Sequence, residues 1–131
     1  MLFRSGKLED AFKAAEAGQA QGLLVLSSPL FSSISGIKPV AGQVASHRLP
    51  AIALFPEFAQ AGGLMGYGPL VNDLYHQASN LIAKILRGEK PADLPLERPS
   101  RFQLIVNAKA AKELGLQLPP PLLARADDII E

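Results

Sequence analysis

The sequence predicts an α/β fold, a parallel sheet flanked by helices, and three observations carry that expectation. Two short, unalternating apolar runs, Gly22–Leu26 and Ala51–Phe55, fit strands of a sheet covered on both faces. Stretches of helical period precede and separate them with short connections, the pattern of βαβ units. The longest periodic stretch, Leu70–Arg87, places Leu70, Leu74, Ala78, Leu81, Ile82, Ile85 and Leu86 on one stripe broad enough to face a core.

Taken in order, residues 8–17 set Leu8, Ala11, Phe12 and Ala15 at helical spacing, with Glu9 and Lys13 paired across one turn. Ser5 is the expected N-cap and Gly18 the expected stop. The first strand ends at Ser27-Ser28-Pro29. From Leu30 to Ser46 the period is again helical, but Pro39 predicts a kink there or a helix that begins near it. Ala51–Phe55 follows as the second strand and ends in Pro56-Glu57. After Gly62-Gly63, Leu64 and Met65 read as a brief strand. Gly66-Tyr67-Gly68-Pro69 then opens the long helix, which Gly88 closes. Residues 89–100 carry three prolines and read as an extended connector. Arg101–Val106 alternates, with Phe102, Leu104 and Val106 on one side. Asn107 caps a helix over 108–114 that Gly115 ends, and Pro119-Pro120-Pro121 leads into a last helical segment over 122–130.

At 131 residues the chain is sized for one domain, and 48% apolar with 19% charged residues is an ordinary globular composition. A formal net charge of +1, scattered basic residues and 6% aromatics give no nucleic-acid footprint. Without cysteine, and with only His47 and His76, neither a disulfide nor a metal site is expected. No phosphate loop, nucleophile elbow or metalloprotease helix is present, so the chain reads as a non-enzyme with no cofactor. His47 reads as a solvated loop residue, His76 as a surface residue, and Asp127-Asp128 as a solvated helix face. No run reaches the ~18 apolar residues of a membrane helix. The start has no apolar leader, so the chain as written is expected to stay in the cytoplasm.

Position marks out a few residues as ligand candidates. In an open parallel sheet, ligands bind beyond the carboxyl ends of the strands. Ser27 and Ser28 follow the first strand, and Phe55 and Glu57 follow the second. Two hydroxyls and a carboxylate suit a small polar solute, with Phe31, Phe55 or Phe58 covering its apolar part. The alternative reading has the serines capping the next helix and Glu57 in water. Tyr67, between Gly66 and Gly68, either lines a cleft or packs at a hinge.

The run HRLPAIALFPEFAQAGGLMGYGP, together with ILRGEKPADLPLERPSRFQLIVNAKAAKELGLQLPPPLLARADDIIE, closely resembles the C-terminal portion of substrate-binding proteins of ABC transporters. That group includes periplasmic binders of tryptophan and related amino acids. The resemblance implies a two-lobe protein of type I that encloses a small solute, an amino acid or related compound among the candidates, and delivers it to an ABC permease. It assigns residues 1–66 to the C-terminal lobe and 67–95 to a hinge (Gly66, Gly68, Pro69) and a helix of the N-terminal lobe. Residues 96–131 return to the C-terminal lobe. The amino-acid binders carry an acidic residue where Ser28 stands, which leaves Glu57 as a candidate substitute. The resemblance omits the first lobe, whose size would be ~100–150 residues. A long apolar helix without its lobe invites association, so a homodimer through residues 70–87 is expected.

Overall fold

Five strands form one sheet in the order β1-β2-β3-β4-β5 in a computed structural model that describes residues 8–28 and 34–131. Ser5 and Phe31 lie outside the described residues. Strands β1 (Leu23–Val25), β2 (Ala51–Ala53) and β3 (Met65–Pro69) run parallel. Strand β4 (Phe102–Asn107) is antiparallel to β3, and β5 (Asp128–Ile130) is parallel to β4. The sheet is mostly parallel, as the alternation of apolar runs and helical stretches requires.

One face of the sheet carries the core. Helix α1 (Leu8–Ala17) buries Phe12, and α2 (Ile34–Ser46) buries Ile37, Val40, Ala41 and Val44 against Val25, Ala51 and Ala53. Glu9 and Lys13 pair at 2.8 Å. Gln19, not Gly18, supplies the left-handed residue after α1, with φ 52°, and the Ala20 amide donates to the Ala15 carbonyl. Helix α2 begins at Ile34 and runs through Pro39. The ring sits on the exposed side, so the apolar stripe around it stays continuous. His47 is not a solvated loop residue. Its ring stacks on Phe12 at 5.2 Å and contacts the Glu16 carboxylate at 2.5 Å, locking α1 to the end of α2.

The other face is open over β1 to β3. Leu24, whose register partner is Ile52, is 64% exposed, so among the described residues β1 is covered on one side only. A parallel sheet is ordinarily covered on both faces. The register places Leu24, Ile52, Met65, Tyr67 and Leu104 on that uncovered side.

Three other segments differ from the expectation. Residues 57–60 form a short helix, α3 (Glu57–Gln60), too brief to show a period. Gly66–Pro69 does not open the long helix but completes β3, and α4 (Val71–Leu86) starts after an extended Leu70. Residues 122–130 are not one helix. Helix α6 (Pro120–Leu123) is followed by β5, and Asp127 binds the edge of β4 rather than lying on a solvated helix face. Its Oδ2 accepts from the Leu104 amide at 2.7 Å, and its own amide donates to the Leu104 carbonyl at 2.9 Å. Helix α5 (Ala108–Glu113) is capped by Asn107, whose Oδ1 accepts from the Ala110 amide at 2.8 Å, and Gly115, at φ 70°, follows its last turn. The connector holds one 3₁₀ turn, Pro91–Asp93, and is otherwise irregular.

The glycines of β3 are a packing requirement. A Cβ on Gly66 would lie 2.5 Å from the Phe55 carbonyl oxygen, and one on Gly68 would overlap the Leu54 carbonyl. Both obstacles are backbone and cannot swing away. Gly68→Ala should therefore sit at the upper end of overpacking costs, about 3 kcal/mol. Urea unfolding reads it directly: the midpoint should fall clearly, and an unchanged midpoint would contradict this packing.

Candidate functional site

The carboxyl ends of β1 and β2 are joined backbone to backbone, with the Leu54 amide donating to the Val25 carbonyl at 3.3 Å. This bond brings the segment that contains Ser27 and Ser28 alongside the one that contains Phe55 and Glu57. Ser27 is exposed, while Ser28, Phe55 and Glu57 are half-buried. Four of the six candidate ligand residues thus share one edge of the sheet.

Helix α3 is fixed from three sides. The Phe58 and Ala59 amides donate to the Phe55 and Pro56 carbonyls at 3.1 Å each. Asn107 reaches across from the end of β4 and donates from Nδ2 to the Ala59 carbonyl at 3.0 Å. Beneath, Phe58 is fully buried, and a Cβ on Gly63 would fall against its ring. Phe58 therefore belongs to the core rather than to a ligand surface, because the short helix turns it inward while Glu57 stays at the edge. One oxygen of Glu57, Oε2, is shielded from solvent and has no hydrogen-bond partner among the described residues.

Tyr67 is on the other side of β3. Side chains alternate along a strand, so Gly66 and Gly68 meet the Leu54–Pro56 backbone and Tyr67 projects from the open face. There it stacks on Phe102 at 5.8 Å and borders a groove of about 520 Å³ with Ile52, Met65, Leu104, Pro121, Leu122 and Arg125 among its walls. The structure does not bring Tyr67 together with Ser27, Ser28 and Glu57. Phe102 was the partner the sequence reading missed; its alternation with Leu104 was the available signal. A second cavity, about 320 Å³, opens between the ends of α2, α3 and α5 and is lined by Arg48, Leu64 and Glu113 among others. It adjoins the start of β3, away from the serine and glutamate edge.

Gly66, Gly68 and Pro69 pair with Ile105, Gln103 and Phe102, so two chain segments run side by side toward α4. Helix α4 has no fully buried residue, and Tyr75 is 69% and Leu86 82% exposed. Its base is held by Arg101, which donates from Nε and a second guanidinium nitrogen to the two Asp73 oxygens at 2.7 and 2.8 Å. Gln77 adds a long bond of 3.4 Å to the Arg98 carbonyl. Among the described residues no group of three His, Asp or Glu side chains is placed to hold a metal, and no helix is long and apolar enough to cross a membrane.

A profile of the ABC transporter substrate binding protein family matches residues 7–130, and the chain belongs to that family. Its members bind substrates and do not transform them. No curated protein sequence matches the chain. Among solved structures, a conserved domain protein from Vibrio cholerae superimposes with a TM-score of 0.86 at 22% identity, covering 98% of this chain and 42% of that one. An ABC domain from Streptococcus pneumoniae in complex with L-Trp gives 0.83 at 24% identity, covering 95% and 41%. A ligand-free, open substrate-binding protein with adhesive properties from Clostridium difficile gives 0.61 at 22% identity, covering 98% and 42%. These likenesses establish the fold, and the chain spans about two fifths of each of those proteins.

The Asp73–Arg101 pair is open to titration. Hydrogen bonds from the guanidinium, then its charge, hold the Asp73 carboxyl below its ordinary value of 3.8. A depressed folded value means the pair contributes above the unfolded pKa and is lost as pH falls through the folded one. Carboxyl NMR titration should show Asp73 ionising below an ordinary aspartate, with Arg101→Ala moving it upward. A midpoint indifferent to Arg101→Ala would show that the pair does not form in solution.

Proposed function

We propose that the chain supplies one wall of the solute-binding cleft of an ABC uptake system, acting by binding without catalysis. The observation that carries the reading is the meeting of Ser27, Ser28, Phe55 and Glu57 at the carboxyl ends of two hydrogen-bonded parallel strands, in a chain of this family. That edge is where open parallel sheets take ligands. Hydroxyls and a carboxylate can fix a polar solute while Phe55 offers an apolar surface. In the two-lobe proteins that the chain resembles, a second lobe closes the cleft, Gly66–Pro69 serves as hinge, and the loaded protein meets a permease at the outer face of the membrane. The Streptococcus neighbour holds L-Trp, which makes tryptophan the first solute to try.

A second reading concerns α4. A 16-residue helix with no fully buried residue and with Tyr75, Ile82, Ile85 and Leu86 exposed is a contact surface. In a two-lobe protein it would pack on the other lobe; where this chain occurs by itself, it would pack on a second copy. Light scattering distinguishes the two, since a dilute monomer with α4 intact would remove the self-association reading.

A thermal-shift panel of amino acids and related solutes tests the binding function. A cognate solute at a hundred times its Kd should stabilise the protein by about 2.7 kcal/mol through mass action. Ser28→Ala and Glu57→Gln should diminish the shift. A panel in which no solute moves the melting temperature would refute the reading.

A further inference from the structure

We propose that the open face of the sheet is the receptor for α4 of a second copy, so that two chains associate by exchanging these helices. The proposal rests on the self-association reading of α4 and adds the surface that receives the helix. Its starting point is a pair of unpartnered apolar surfaces on one chain. The first is the stripe of α4, where Tyr75, Ile82, Ile85 and Leu86 are exposed and no residue is fully buried. The second is the groove over Ile52, Met65, Tyr67 and Leu104. A mostly parallel sheet is ordinarily covered by helices on both faces, so the natural occupant of this groove is a helix. Helix α4 is the long helix of the chain that buries nothing.

Charge and length both match. Tyr75, Ile82 and Leu86 recur at intervals of seven and four residues and so share one side of α4, with Ile85 beside them. That side carries no full charge. Asp73 is held at the base by Arg101, and Lys84, two positions from Ile82, points elsewhere. The groove is equally bare of charge apart from Arg125 in its wall. From Tyr75 to Leu86 the stripe runs about 16 Å at the helical rise. The five residues of β3, Met65–Pro69, extend about 16 Å at the strand rise. A helix laid along β3 thus meets the strand with its whole stripe.

The helix must come from another copy. Only Leu70 separates the end of β3 from the start of α4. A strand and a helix packed back on it are usually joined by about two to six residues, so α4 cannot lie down on the strand it leaves. Packing α4 against α4 would cover the stripe and leave the groove in water. Exchange covers both surfaces on both chains at once, and its reciprocal contacts are those of a two-fold dimer.

Sedimentation equilibrium and isotope-filtered NOE spectroscopy of the full chain test the proposal. Mixed ¹³C-methyl-labelled and unlabelled copies should show intermolecular contacts from Ile82, Ile85 and Leu86 to Met65, Leu104 and Leu122. Ile82→Asp, at an exposed position, should weaken the dimer about tenfold or more, while its circular dichroism stays that of the parent. Intermolecular contacts between α4 and α4 alone would overturn the groove as receptor and leave the self-association reading standing. A monomer in both measurements, or a dimer that Ile82→Asp does not weaken, would overturn both.

Discussion

The passage of Leu54–Pro56 across the glycine face of β3 is the constraint on which the rest of this chain depends. Backbone lies on backbone there, with no side chain on Gly66 or Gly68 to hold the layers apart. The closeness lets the chain leave β2, turn and start α3 within a few residues. Phe58 is thereby driven into the core, and Asn107 comes within reach of the Ala59 carbonyl. Asn107 spends its other side-chain atom on the α5 cap. One buried amide thus ties β4, α3 and α5 together, and the turn that carries Glu57 inherits their rigidity. Stability and the candidate site draw on the same contacts.

The two faces of the sheet have different fates. On one, α1 and α2 bury a continuous core, reinforced where His47 stacks on Phe12. On the other, Leu24 and Tyr67 stay exposed and a groove runs over Ile52, Met65 and Leu104. Helix α4, with no fully buried residue and with Tyr75, Ile82, Ile85 and Leu86 exposed, adds a second apolar surface. Solved proteins of this fold are more than twice as long as the chain. The exposed face and α4 are both surfaces that a larger assembly would cover.

Much of this was legible in the sequence, and the exceptions have physical reasons. Long periodic stretches announce themselves, so α1 and α4 appear within a residue of their expected bounds, and the Asn107 cap could be named from its position before an apolar helix. The edge shared by Ser27, Ser28 and Glu57 followed from strand order alone. Helix α3 and strand β5 are too short to carry a period, and β5 exists only because Asp127 and β4 offer it a partner. Gly66–Pro69 looked like a helix opening because glycine and proline break strands in isolation. Here the glycines permit a close layer, and Pro69 ends the strand. Tyr67 was expected to line a cleft or pack at a hinge; strand alternation puts it on the open face against Phe102. His47 gave no sign of its role, since its partners, Glu16 and Phe12, are distant in sequence.

Solute held at the proposed serine and glutamate edge, rather than in the apolar groove on the open face, would protect different backbone segments. Hydrogen exchange followed by mass spectrometry, with and without saturating L-tryptophan, separates the two. Binding at the edge should slow exchange over residues 26–28 and 54–60 and leave residues 119–125 unchanged. Protection confined to residues 119–125, or no protection anywhere, would contradict it.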